Sequence, residues 1–224
     1  MVYDPLDRVS AYTNSLGKAV KTQYDANSRP TSSQYESGLY RLESFDAAGQ
    51  TLGRVDKTPA GIVSSQFTFA YDPVGNRTVV QDLAALTSYS YDARNRLTQD
   101  NTSGANAHLY TYSYDGNDNR LSSSETGALT FWTYDAANRM VTAVSGGQLT
   151  TYGYSPNGNL TNVSEPAGLT TISYDKENRL SVYQAGSAIT SYAYGGDGLK
   201  RFEMAGAATT TLIWDGSDYL GARS

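Results

Sequence analysis

The chain has no cysteine among its 224 residues. Disulfide staples, thiolate catalysis and cysteine-based metal sites are therefore excluded. It has one histidine, His108, so histidine triads and histidine metal sites have almost nothing to work with. Charge is sparse: Asp, Glu, Lys and Arg together make 17% of the residues, and the net charge is -5. That balance lacks the basic surface that nucleic acid or an anionic membrane calls for, so neither is expected as a partner. No window reaches 18 apolar residues, which leaves no helical membrane insertion. The opening run Met1-Val2-Tyr3-Asp4-Pro5 has neither a basic start nor an apolar stretch, and does not read as a signal peptide.

What the chain has is tyrosine, 19 copies, with 21 glycines and many serines and threonines. Such a composition suits strands and turns better than helices. The tyrosines are in register. Tyr174-Asp175-Lys176-Glu177-Asn178-Arg179-Leu180 recurs as Tyr91-Asp92-Ala93-Arg94-Asn95-Arg96-Leu97 and as Tyr134-Asp135-Ala136-Ala137-Asn138-Arg139-Met140. Looser copies begin at Tyr3, Tyr24, Phe45, Tyr71, Tyr114, Tyr154, Tyr194 and Trp214. The steps between anchors are 21, 21, 26, 20, 23 and then 20 five times, so a fixed period near twenty residues spans the chain. A sustained period of this size marks a repeat architecture.

One period contains two turn signals and two short runs rich in β-branched and aromatic residues, which is one hairpin. Tyr152 and Tyr154 share a strand face, as do Tyr192 and Tyr194, with the small Gly153 and Ala193 between them. One face is thus read as aromatic and the other as small and polar. Asp follows the aromatic in nine of eleven copies and is placed to accept hydrogen bonds from the turn backbone. Pro5, Pro73 and Pro156 preset the next position for a type I turn. Gly49, Gly75, Gly158, Asn95, Asn138 and Asn178 then suit a left-handed residue.

The expected fold is all-β. About ten 20-residue β-hairpin repeats form a coiled antiparallel sheet strip, a single array over residues 1–224. An open sheet of some twenty strands tends to curl, and curling is expected to bury the aromatic face. The variable turns, including Asn101 to Ala107, are expected along one edge. The expected site residues are structural ones at the repeat turns: Tyr91, Asp92, Asn95, Arg96, Tyr134, Asp135, Asn138, Arg139, Tyr174, Asp175, Asn178 and Arg179.

Conventional chemistry finds little support. His108 reads as an exposed loop residue. Asp115-Gly116-Asn117-Asp118-Asn119 begins like a calcium loop, but Arg120 replaces the needed glycine and Thr126 the closing acid, so a repeat-turn variant is the better reading. The arginines that close the turns are placed to pair with turn aspartates or to stack on aromatic rings of the adjacent repeat. A ladder for acidic glycans is the minor alternative. Asn76, Asn101, Asn159 and Asn162 fit N-glycan acceptor patterns, which matter only in a eukaryotic secretory host. No catalytic residue, cofactor or metal is expected.

Repeated in phase across the chain, these motifs resemble the tyrosine-aspartate (YD) repeats of the Rhs family. The resemblance implies a segment of a hollow β-sheet shell. In bacterial toxins of that family the shell encloses a C-terminal toxin, and in teneurins it forms part of an adhesion receptor. It implies a non-enzymatic scaffold, secreted or on the cell surface of a bacterium, that would enclose a toxin or passenger. The implied partners are neighbouring repeats of a longer chain or other copies of itself. The alternative is an extracellular fibre-forming or carbohydrate-binding module that assembles end to end. The family's self-cleaving ending, of Asp-Pro-x-Gly-Leu type, is absent: Asp72-Pro73-Val74-Gly75 resembles part of it but sits inside a repeat turn. The chain starts within one turn and ends near Trp214-Asp215-Gly216 in the same phase, as expected of a segment that abuts further repeats.

Overall fold

The computed structural model describes residues 1–223, so Ser224, the last residue of the expected array, lies outside them. Among the described residues there are 22 strands and no helix. The contacts divide the chain into two units. Met1–Tyr112 with Glu125–Gly127 form the first, and Ser113–Ser124 with the chain from Ala128 onward form the second.

In the first unit the strands are β1 (Val2–Tyr3), β2 (Val9–Thr13), β3 (Ala19–Tyr24), β4 (Pro30–Tyr35), β5 (Tyr40–Phe45), β6 (Thr51–Lys57), β7 (Val63–Tyr71), β8 (Arg77–Gln81), β9 (Ala85–Tyr91), β10 (Leu97–Gly104) and the body of β11 (His108–Tyr114). Each pairs antiparallel with the next. After β12 (Arg120–Glu125), the second unit runs through β13 (Ala128–Tyr134), β14 (Met140–Ser145), β15 (Gln148–Tyr154), β16 (Leu160–Glu165), β17 (Gly168–Tyr174), β18 (Leu180–Ala185), β19 (Ala188–Tyr194), β20 (Lys200–Ala205), β21 (Ala208–Asp215) and β22 (Asp218–Arg223). From β13 to β22 the pairing is again antiparallel between chain neighbours. Hairpins joined by short loops have no other way to pair.

The register slips by one residue beside the aromatic-Asp turns, as between Gly153 and Tyr154 or Ser173 and Tyr174. A type I turn followed by a left-handed residue produces this bulge, and the bulge sharpens the local twist. At the opposite edge of the second unit the loops shrink to two residues. Gly146 and Gly147 both have positive φ, 56° and 77°, the mirror-image turn whose twist matches the strands it joins. In the first unit, Asn14, Tyr35 and Thr58 open turns at this edge with the same backbone bonds as the aromatic-Asp turns. The earliest repeats are therefore irregular in sequence because both their edges use the longer turn.

Two expectations need correction. The aromatic face does not bury itself: no apolar residue among those described is buried, and of the polar ones only Ser32 and Thr102 are. Each strand is flanked by its neighbours and has no packed layer above it, so the aromatics stay half-buried. The stretch from Asn101 to Ala107 is also not one long turn. Asn101 to Gly104 continue β10, with Gly104 paired to Ala85, so the extra residues lengthen the strand.

Candidate functional site: the aromatic-Asp turns

The turn at Asp135 shows the construction. Its N–H donates to the Arg139 carbonyl at 2.9 Å, and the Asn138 N–H donates back to the Asp135 carbonyl at 3.0 Å. Asn138 sits at φ 60°, a left-handed conformation that asparagine tolerates. The Asp135 carboxylate completes the loop. Oδ1 accepts the N–H groups of Ala137 and Arg139 at 2.9 and 3.0 Å, and Oδ2 accepts Arg139 Nε at 2.7 Å. Asp4, Asp25, Asp92 and Asp175 repeat this pattern with Arg8, Arg29, Arg96 and Arg179.

These bonds act on the charged form of the acid and lower its pKa. The Arg139 side chain and then its N–H hold the Asp135 carboxyl below the usual carboxylate value. For Asp25 and Asp92 the leading cause is the N–H of Arg29 and of Arg96.

The arginine also reaches the next repeat. The Arg139 guanidinium lies 4.7 Å from the centre of the Tyr154 ring, and the Tyr154 hydroxyl donates to the Met140 carbonyl at 2.8 Å. Arg179 lies 4.6 Å from the Tyr194 ring, whose hydroxyl donates to Leu180 O at 2.9 Å. Arg8 and Tyr24 form the same clasp, with Tyr24 bonded to Val9 O. At Trp214 the indole N–H takes the place of the hydroxyl and donates to Lys200 O at 2.8 Å. The aromatic anchor is thus held from above by a cation and at its tip by a carbonyl of the preceding strand.

A second clasp uses amides. Asn76, Asn119 and Asn159 stand where five other turns have arginine. Asn119 Nδ2 donates to Asp115 Oδ2 at 2.9 Å and to Asn138 Oδ1, in the next turn, at 2.8 Å. Asn76 donates in the same way to Asp72 and Asn95, and Asn157 and Asn159 both donate to Asn178. From Asp72 to Asp175 the two clasps alternate: Asn76, Arg96, Asn119, Arg139, Asn159, Arg179. Over that stretch the structural period is therefore a pair of repeats. The alternation stands in the sequence, four residues after Asp72, Asp92, Asp115, Asp135, Ser155 and Asp175.

The named turn residues fall together in this geometry. Asp92, Asp135 and Asp175 close the loops, while Asn95, Asn138 and Asn178 are left-handed and accept the amide bonds. Tyr91 and Tyr134 donate to Arg77 O and Arg120 O. Asp115 Oδ1 accepts the N–H groups of Asn117 and Asn119, which makes that stretch a turn of the same kind. No group of three or more His, Asp or Glu side chains positioned to hold a metal occurs among the described residues.

His108 differs from expectation. It lies in β11, half-buried against the Tyr110 ring with centroids 4.5 Å apart. Its Nδ1 is 2.8 Å from Asn106 O, and its Nε2 is 3.2 Å from both Asp100 Oδ1 and Thr102 Oγ1. Strand pairing across the lengthened hairpin brings these groups together, which chain spacing alone did not reveal.

Beside the turn at Ser155 lies an open groove of about 450 Å³, lined by Asn157, Asn159, Thr161, Thr171 and Ser173 among others. Its one carboxylate, Asp175, is held by Arg179. One repeat pair earlier, Leu121 and Phe131 stand at the positions of Thr161 and Thr171, so the groove opens where the sequence turns small and polar.

A sheet of serial hairpins clasped turn to turn defines an all-β repeat protein. Residues 134–171, which hold the clasp from Tyr134 through Tyr154, match the family model described as RHS Repeat. The match covers this stretch and not the rest of the chain. No curated protein matches it in sequence. Among solved structures, that of TcdB2-TccC3-TEV aligns over 95% of this chain and 16% of its own, at 14% identity and TM-score 0.58. The TcdB2-TccC3-Cdc42 structure aligns over 87% and 14% at 15% identity, TM-score 0.55. The Photorhabdus luminescens Tc holotoxin pore aligns over 88% and 14% at 16% identity, TM-score 0.56. These likenesses establish a shared fold, and the chain spans only about a sixth of the first of these structures' length.

Proposed function

We propose that this chain is a stretch of wall: a non-enzymatic scaffold formed as one YD-repeat array over residues 1–224, in a secreted or cell-surface bacterial protein. Its partners are neighbouring repeats and a toxin or passenger enclosed by the wall. The observation that carries this reading is the clasp. The polar side chains most prominent in the sequence are engaged with their own turn or the next one, so they serve cohesion. On this reading Tyr91, Asp92, Asn95, Arg96, Tyr134, Asp135, Asn138, Arg139, Tyr174, Asp175, Asn178 and Arg179 are structural residues. Fold likeness to Tc toxin complexes supports the link with a toxin. The test is protease treatment of the full gene product. A passenger segment is expected to resist digestion until urea opens the array, and digestion at the rate of the free segment refutes enclosure.

The polar groove beside Ser155, whose one carboxylate is paired with Arg179, favours a second reading, a carbohydrate-binding repeat. Its lining of hydroxyls and amides is the kind that recognises uncharged sugars. Calorimetric titration with neutral oligosaccharides, compared between the chain and Thr171→Phe, tests it: equal heats with both refute the groove as the site.

A further inference from the structure

The face opposite the aromatics is not merely small and polar. Register places Leu129, Phe131, Leu149, Leu169, Ile189, Phe202, Met204 and Ile213 on one face of the second unit, through pairs such as Phe131 with Val144, Val144 with Leu149, Ser164 with Leu169, and Ala193 with Phe202. These eight side chains are each 46–53% exposed. Leu129, Leu149, Leu169 and Ile189 occupy the same repeat position in β13, β15, β17 and β19, five residues before the aromatic anchor. They form a row with a spacing of about 9.6 Å, two strands per step. From β13 through β20 the residues that share this face include no Asp, Glu, Lys or Arg, and their polar members are Thr, Ser, Asn and Gln; Asp215, two residues past Ile213, stands at its β21 margin.

Eight half-exposed side chains of this size present on the order of 700 Å² of apolar surface, above the largest patch of a typical monomer. The whole chain exposes 14175 Å². A compact monomer of its mass, 24.2 kDa, would expose roughly 10,000 Å². The excess, roughly 4,000 Å², is well above the approximately 800 Å² that each partner contributes to a stable dimer.

We propose that this face docks on the same face of a second copy of the chain, as two sheets packed face to face about a two-fold axis. The row matches itself, since its spacing is identical in both copies. From β13 through β20 this face carries no charged side chain, so two copies meet there without opposing like charges. The contact is independent of any enclosed passenger, because a wall has two faces.

The test is sedimentation of the full chain over a concentration series. The wild type is expected to be a dimer at micromolar concentration. The triple variant Leu149→Glu, Leu169→Glu, Ile189→Glu is expected to raise the dissociation constant by at least about a hundredfold, with the strand dichroism unchanged. Tyr183→Glu, on the opposite face, leaves association as it was. A wild type that stays monomeric overturns the proposal, as does a triple variant that associates like the wild type. Should the triple variant not fold, Thr171→Cys gives the otherwise cysteine-free chain one thiol for a spin label. Face-to-face packing brings the two labelled sheets about 10 Å apart and yields a short label–label distance. Absence of that distance, as for copies joined edge to edge, overturns the proposal.

Discussion

Replacing Tyr154 with leucine and Arg139 with alanine, singly and together, measures the clasp between repeats. The guanidinium lies 4.7 Å from the ring centre and remains partly open to solvent, which puts the stack at about 1 kcal/mol. The tyrosine hydroxyl adds one hydrogen bond, at 2.8 Å to Met140 O, worth about 1 kcal/mol net. Tyr154→Phe is therefore expected to cost about 1 kcal/mol and to leave the stack in place. Tyr154→Leu is expected to cost roughly 2 kcal/mol, because stack and hydrogen bond are lost together. The single and double variants should show a coupling energy of about 1 kcal/mol. As a control, Tyr174 lies in the repeat beyond and has its own hydroxyl and ring. Arg139→Ala with Tyr174→Leu should be additive within about 0.5 kcal/mol. Urea unfolding followed by tyrosine fluorescence and by dichroism supplies the energies. Coupling that is zero for the Tyr154 pair, or equal for both pairs, would refute the clasp.

The remaining predictions concern the turns. Thr126 is β-branched yet has φ 48°, and Thr126→Gly relieves that strain; a gain of about 0.5–1 kcal/mol in thermal unfolding is expected, and a loss would contradict it. Asn178→Ala loses both the left-handed preference and the acceptor for Asn157 and Asn159, whereas Asn178→Gly loses only the acceptor. The alanine variant should therefore melt lower than the glycine variant, and the reverse order would show that φ is not the issue. The carboxyls of Asp25, Asp92 and Asp135 have lowered pKa values in the folded chain. Their stabilisation is thus complete above the unfolded value of 3.8 and is lost as pH falls through the lower folded values. Urea midpoints should hold from neutral pH to about 5 and fall below about 4. A midpoint that rises on acidification would contradict the assigned bonds.

Much of the fold was legible because each turn announces itself within five residues. Aromatic, Asp and a left-handed Asn or Gly define the hydrogen bonds locally, so eleven anchors translate directly into hairpins. Features carried by partners from other strands were less legible. The leucine row is one residue per strand among serines and threonines, and only the register places Leu149 beside Val144 and Leu169 beside Ser164. His108 gained Asp100 and Thr102 as neighbours through pairing across the hairpin. The aromatic face stays half-buried for a different reason: alternation predicts which side chains share a face, but not whether anything covers it.

The most direct test of the central claim is cryo-electron microscopy of the full gene product. A scaffold wall predicts that residues 1–223 appear as antiparallel hairpins, with the arginine and amide clasps at the turns and one sheet face turned toward an enclosed volume. A particle in which both faces of this sheet stand open to solvent, with no enclosed space beside either, would contradict it.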